Sequence, residues 1–430
     1  MASGGQRRLT FGELYSLALG GQSPFISLMA FGTPLVAIAG SGAALSMMVA
    51  TALVLINGSA TFLIARRFKR GGGYYVYSLY GLSERLGFVV GWMYLLYSLA
   101  YGGSLVVAGA YIIKIVASSY GASLPDYAYV AAVAAVVIGV ALAGVKASAK
   151  FAWYTSLLGI AVIVAISGYL FWRSGLKLYN PFVGLTPGVL YGALYGLGIP
   201  SGYGAITPLA GEAKRPAHVG LAILSAIGTG GALATFFFYA LAALGFTGNL
   251  ARFLLTEFGV PGLVFISAMG LASGGLGGVA YIMAASRVIY NMARDGFFHV
   301  SLASSRGGRP LAAEALAAAA MLALLLSAAL IGGLAGALEF LGALAGLLNL
   351  FVHAAAGVSL ARISLRRLSI RRVFEALGGA AAAIFSIALV INGLGEAEKL
   401  VGLTFMGWLV LGFFYLEILD IIRAGEEKEE

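Results

Sequence analysis

Cysteine is absent from the 430 residues, which excludes a disulfide, a thiolate metal site and a cysteine nucleophile. Histidine is scarce: His218, His299 and His353 are far apart and too few for a histidine-rich metal centre. Charge is scarce too. Only 10% of the chain is charged, 60% is hydrophobic, and the mean hydropathy is +0.95. A soluble domain averages roughly 45–50% apolar and about 25% charged. So few polar groups cannot cover the surface of a water-soluble chain of this length, and the bilayer must be the solvent for much of it. Clustered acids, paired histidines and a nucleophile beside a base are all missing, so the chain does not read as an enzyme. The net charge of +10 does not imply nucleic acid, because the basic residues are spread over short connections rather than gathered on one face. No connection is long enough to hold a soluble domain.

What is abundant is glycine, 62 residues, which membrane helices tolerate and which allows close helix contact. A helix spans the bilayer with about 20 apolar residues. Twelve such runs lie near 14–39, 43–66, 86–117, 126–144, 151–172, 188–211, 219–245, 261–293, 311–332, 335–361, 374–393 and 400–423. The first is too long for a signal-peptide core and reads as the first membrane helix. The third, eighth and tenth exceed one bilayer thickness, so tilt or extension is expected. With both termini in the cytoplasm, 22 of the 27 Lys and Arg residues fall on the cytoplasmic side. Lys114, Arg173, Lys177, Arg252 and Lys399 fall outside. That asymmetry fits the positive-inside rule, and a missed or invented helix would scramble it. The expectation is an all-α polytopic protein of the plasma membrane, one membrane domain over residues 1–430, with both termini cytoplasmic and an acidic tail from Gly425.

Two runs are interrupted. Gly20-Gly21-Gln22-Ser23-Pro24 breaks the first, and Gly196-Leu197-Gly198-Ile199-Pro200-Ser201-Gly202-Tyr203-Gly204 breaks the sixth. Proline lacks an amide hydrogen and clashes with the preceding turn, and glycine makes unwinding easy. Each alone could be a kink. Runs 1 and 6 are equivalent members of two five-helix halves, and matched interruptions of this kind point to a central binding site.

At these residues the sequence resembles the amino acid–polyamine–organocation (APC) superfamily. Ser201-Gly202-Tyr203 followed by Glu212-Ala213-Lys214-Arg215-Pro216 resembles the S-G-F/Y and E-x-K-x-P elements of its sixth helix. Ser286 to Gly296 resembles the end of its eighth helix. Gly72-Gly73-Tyr74-Tyr75-Val76-Tyr77 resembles the G-G-x-Y-x-Y element after helix 2. Gly144-Val145-Lys146 with Ser148-Ala149-Lys150 resembles the loop entering helix 5, and Gly21 to Phe25 loosely matches the break in helix 1. The resemblance implies a five-plus-five inverted-repeat core, with a first repeat at about 11–175, a second at about 185–365, and two extra helices at about 373–423. It implies secondary active transport of amino acids or related small amines by alternating access. A channel, a carrier of another small solute, or a non-transporting membrane subunit is the alternative.

By the same resemblance, Gly21, Gln22, Ser23, Pro24 and Phe25 would offer amides to a substrate carboxylate, as half-helix N-termini do. Ser201, Gly202, Tyr203 and Gly204 would surround carbonyls that accept an ammonium group. No Asp or Glu lies in either break, which disfavours a polyamine. Tyr203 is either a gate or a packed aromatic; Glu212, with Lys214 and Arg215, either joins a gate or is solvated. Ser273 is either an ion ligand or bonded to a helical carbonyl. Proton-coupled relatives carry a lysine in helix 5, a place that here falls at or near Gly159. Proton or sodium symport, exchange and uniport therefore all stay open. Lys114 reads as snorkelling to the interface. His353 is an intramembrane titratable group with either a functional or a packing role. No cofactor or metal is expected beyond a coupling ion. The expected partners are a small-molecule substrate and the lipid bilayer, with no nucleic acid and no particular oligomeric state implied.

Overall fold

A computed structural model describes residues 9–429 other than 183, 249, 368 and 397. Arg7 and Arg8 of the charge count, and the side chains of Lys146, Arg252, Lys428 and the tail from Gly425, lie outside the described residues. Among the described residues the chain is helical, with no strand and two isolated bridges, Leu9–Ala213 and Arg306–Arg309.

The first apolar run forms two helices, α1 (Phe11–Gln22) and α2 (Pro24–Ala39). Thr10 and Glu13 form a reciprocal capping box that starts α1. Ser23 ends it in the left-handed region, at φ 45°, and Pro24 starts α2. After a single 3-10 turn comes α3 (Ala43–Ala65), then the short α4 (Tyr74–Gly81) and α5 (Glu84–Ser119). Gly73 precedes α4 at φ +55°, and a Cβ there would lie 2.4 Å from Thr207 Oγ1. That close approach is why the G-G-x-Y-x-Y element opens on glycine.

Next come α6 (Asp126–Leu142), α7 (Val145–Arg173) and α8 (Pro187–Gly196). The sixth run, expected over 188–211, is not one helix. It unwinds after α8 and continues as a 3-10 helix over Tyr203–Glu212 that contains Pro208. The chain ends with α9 (Pro216–Ala243), α10 (Leu250–Arg294), α11 (Leu311–Leu365), α12 (Ile370–Glu396) and α13 (Lys399–Glu429). α10 kinks at Gly259 and α11 at Gly333, both with positive φ. Asp126 accepts a hydrogen bond from the Leu334 amide at the second kink, at 3.0 Å.

Among the described residues, eight helical stretches are long and apolar enough to cross a membrane, and two of them, Phe11–Ala65 and Leu311–Leu365, have 55 residues each. α5 and α10 form the centre of the bundle, packed on each other. Of the most apolar window in 264–294, 72% is buried, against 17% in 399–424. The outer helices instead expose large apolar side chains, among them Ile384, Ile391, Phe414 and Ile421. A surface of that kind is stable against lipid, not water.

Candidate functional site

The two interruptions touch each other at the centre of the bundle. A Cβ on Gly21 would lie 2.4 Å from Gly202 O, and one on Gly202 would lie 2.3 Å from Gly21 O. Only glycine permits that approach, and Gly202 also needs φ +94°. The Gln22 side chain crosses the contact and donates from Nε2 to Pro200 O at 2.8 Å. Its Oε1 is buried without a hydrogen-bond partner.

Ser23 fixes the first break. Its hydroxyl lies 2.7 Å from Gly20 O and 2.6 Å from Ser273 O, so its one proton bridges α1 to α10. Turned that way, it makes no cap bond to α2. The first-turn amides of α2 at Phe25 and Ile26, next to Pro24, therefore lack a side-chain cap and aim partial positive charge at the break. It is the Ser273 carbonyl that meets the break.

The second break presents carbonyls, and side chains meet them in turn. Ser201 Oγ donates to Leu197 O at 2.5 Å, and Tyr101 to Gly198 O at 3.2 Å. Tyr281 donates to Gly202 O at 3.0 Å, and Tyr94 to Gly204 O at 3.1 Å. Tyr281 spends its single proton on Gly202, so Tyr97, 2.8 Å away, is the donor in their mutual bond. Tyr94, Tyr97 and Tyr101 come from one face of α5, at helical spacing. The sequence reading missed these tyrosines. The signal was available: a buried tyrosine hydroxyl in an apolar run needs a partner. Tyr203 opens the 3-10 segment, and its hydroxyl lies 2.7 Å from His353 Nε2. Gly204 leaves space for Tyr74, whose hydroxyl would lie 3.0 Å from a Cβ at 204.

Glu212 sits away from this centre, at the end of the molecule where the N-terminal segment lies. Its carboxylate accepts from Arg287 Nε at 2.8 Å. Arg287 also donates to Glu314 at 2.8 Å, and Arg309 donates to the other oxygen of Glu314 at 2.6 Å and to Leu142 O. Arg287 and Glu314 are almost wholly buried, and neither was picked out from sequence. The backbone closes the same end: Leu9 N donates to Glu212 O at 2.7 Å, and Lys214 N to Leu9 O at 2.9 Å. Nearby, Arg70 pairs with Asp295, which also accepts from Tyr75. Burial alone would lower the Arg70 pKa, but its bonds to Asp295 and Tyr80 outweigh that and raise it. At the opposite end Lys114 is paired with Asp126 at 2.6 Å, a fixed partner rather than free snorkelling. No group of three or more His, Asp or Glu residues that could hold a metal ion occurs among the described residues.

Comparison with known proteins agrees with this architecture. The chain is 28% identical over 385 residues to an uncharacterized transporter of Mycobacterium bovis, covering 85% of this chain and 82% of the relative. Uncharacterized transporters of two Mycobacterium tuberculosis strains match with the same identity and coverage. The profile of the amino acid permease family matches residues 13–397, nearly the whole membrane region. The chain is a membrane transporter and belongs to the amino acid permease family.

Proposed function

We propose that the protein is a secondary active carrier of amino acids or related small amines that works by alternating access. The observation that carries this reading is the direct contact of the two breaks, Gly21 against Gly202 and Gln22 against Pro200. A structural bundle has no use for two unwound segments in contact at its centre, whereas a carrier uses their freed amides and carbonyls. The α2 N-terminus suits a carboxylate, and the carbonyls between Gly198 and Gly204 suit an ammonium group. Gln22, Ser23 and Ser201 are buried, so this is a closed state in which tyrosines and Gln22 hold the carbonyls. Each carbonyl has two lone pairs and can accept a substrate donor beside its present one.

The lengths of the helical stretches support twelve crossings. Phe11–Ala65 supplies two crossings and Leu311–Leu365 two more, since 55 residues of helix extend about 80 Å, far beyond a hydrocarbon core of about 30 Å. α6, and α8 with the 3-10 segment, bring the total to twelve. We read the first ten as two inverted repeats, at about 11–175 and 185–365, with α12 and α13 outside them. The connections rich in Arg and Lys come together at the N-terminal end, in the pairs Arg67–Glu375, Arg70–Asp295 and Arg309–Glu314. This supports both termini facing the cytoplasm of a plasma membrane, with Glu212 in a cytoplasmic gate and Tyr203 lining the site.

The test is uptake of a labelled amino-acid mixture by proteoliposomes. Saturable uptake by the wild type, abolished in Ser201→Trp that still elutes as a monodisperse folded protein, is the expected result. No uptake and no exchange of any amino acid by folded wild-type protein would overturn the substrate class.

A further inference from the structure

We propose that His353 is the proton-binding residue of the transport cycle, and that a proton on its Nε2 reverses the hydrogen bond that holds Tyr203 at the second break. The proposal rests on the secondary-carrier reading above.

His353 lies in the second half of α11 and is buried. Its Nδ1 is 2.7 Å from the Asn349 carbonyl, which can only accept, so Nδ1 carries a hydrogen. In the neutral ring Nε2 is then an acceptor with one lone pair. Two hydroxyls point at it, Tyr203 at 2.7 Å and Tyr74 at 3.0 Å. Both tyrosine rings also touch the imidazole, with centroids 5.5 and 5.2 Å away. Tyr74 is in turn in ring contact with Tyr77 of its own helix and Tyr94 of α5. The groups facing His353 from α4, α5 and the 3-10 segment are thus tyrosines, and no charged side chain is among its hydrogen-bond partners.

A histidine that only packs needs one partner at each nitrogen. Here two donors compete for one lone pair, and a single proton rearranges all three groups. With hydrogen on Nε2, the ring donates to one tyrosine oxygen and both hydroxyl protons turn to other acceptors. Buried acceptors without a partner flank the cluster: the Tyr77 hydroxyl and Asn349 Oδ1, one turn before His353. The disturbance reaches the breaks directly. Tyr203 follows Gly202, whose carbonyl Tyr281 holds and whose backbone rests on Gly21. Lys114 is paired with Asp126, Arg287 with two carboxylates, and the helix-5 place of a coupling lysine is Gly159. Among side chains, the imidazole is the one whose unperturbed titration falls between about pH 5 and 8. The step is a proton transfer only: Nε2 gains a proton from the outer solution with substrate bound and loses it to the cytoplasm, and no covalent bond between heavy atoms changes.

The test compares wild type and His353→Gln in proteoliposomes, with the labelled amino-acid mixture as probe and a trapped pH dye as second readout. In the wild type, an acid-outside gradient drives accumulation and substrate carries protons inward. In His353→Gln, counterflow exchange persists while gradient-driven accumulation and proton influx are lost. Proton-coupled accumulation retained by the variant overturns the proposal, as does net substrate influx in the wild type without proton movement. Absence of counterflow in the wild type is a separate result, which overturns the carrier reading on which the proposal rests. Should the variant fail to fold, nitrogen-15 NMR of histidine-labelled His218→Gln/His299→Gln protein isolates His353. Saturating probe should move its titration midpoint by about one pH unit, the linkage expected of a roughly tenfold coupling. A midpoint unmoved by a probe that is transported overturns the proposal.

Discussion

Ser23 shows most plainly what a single residue does in this molecule. A non-glycine residue at φ 45° is strained by roughly 1–2 kcal/mol. Its hydroxyl offsets that cost by bridging Gly20 O and Ser273 O in a buried setting, where a net hydrogen bond contributes about 1 kcal/mol. Ser23→Ala keeps the strain and loses the bridge, whereas Ser23→Gly loses both. Thermal unfolding in detergent should rank wild type and the glycine variant close together, with the alanine variant lower by about 1–2 kcal/mol. Equal melting of the two variants would mean the backbone there is unstrained. At this scale the sequence revealed the break, because Gly-Gly-Gln-Ser-Pro carries its own local signal. It did not reveal the Ser273 carbonyl, 250 positions away, since a carbonyl leaves no trace in residue identity. The tyrosines of α5 were legible in part: their spacing marks one face, but not what that face meets.

At the scale of elements, Leu9 acts as a strand-like tie across the end of the 3-10 segment. Leu9 pairs with Glu212 and Lys214 through backbone bonds, just where Arg287 holds the Glu212 side chain. If this end opens to release substrate, that pairing must part. Residues paired across a β-bridge are close enough for a disulfide, and the chain has no cysteine to compete. The double variant Leu9→Cys/Ala213→Cys should therefore transport normally when reduced, stop when oxidised, and recover with dithiothreitol. Continued transport by fully oxidised protein would show that the tie never opens. The elements themselves were mostly readable, because an apolar run without charge has few alternatives to a helix. The exception is the stretch after Ser201. It is as apolar as a membrane helix, yet Gly202 and Pro208 turn it into an unwound loop and a 3-10 segment. Hydropathy records burial, not the pitch of the helix.

For the whole molecule, the arrangement makes a topological claim that labelling can check. In intact cells, Ser304→Cys, in the connection between α10 and α11, should be reached only by membrane-permeant reagents. Ser123→Cys, between α5 and α6, should react with impermeant ones. Reversed accessibility would invert the protein, and identical accessibility would break the count of crossings. Order of assembly is a further matter at this scale. Asp126 caps the Leu334 amide across 208 positions of chain, although α6 is made long before α11 exists. At roughly 5–20 residues per second, about 10–40 s of synthesis separate the two. Through that interval the half-made protein holds a carboxylate whose eventual amide is still unborn. Lys114, twelve positions upstream and already in place, is its chaperone.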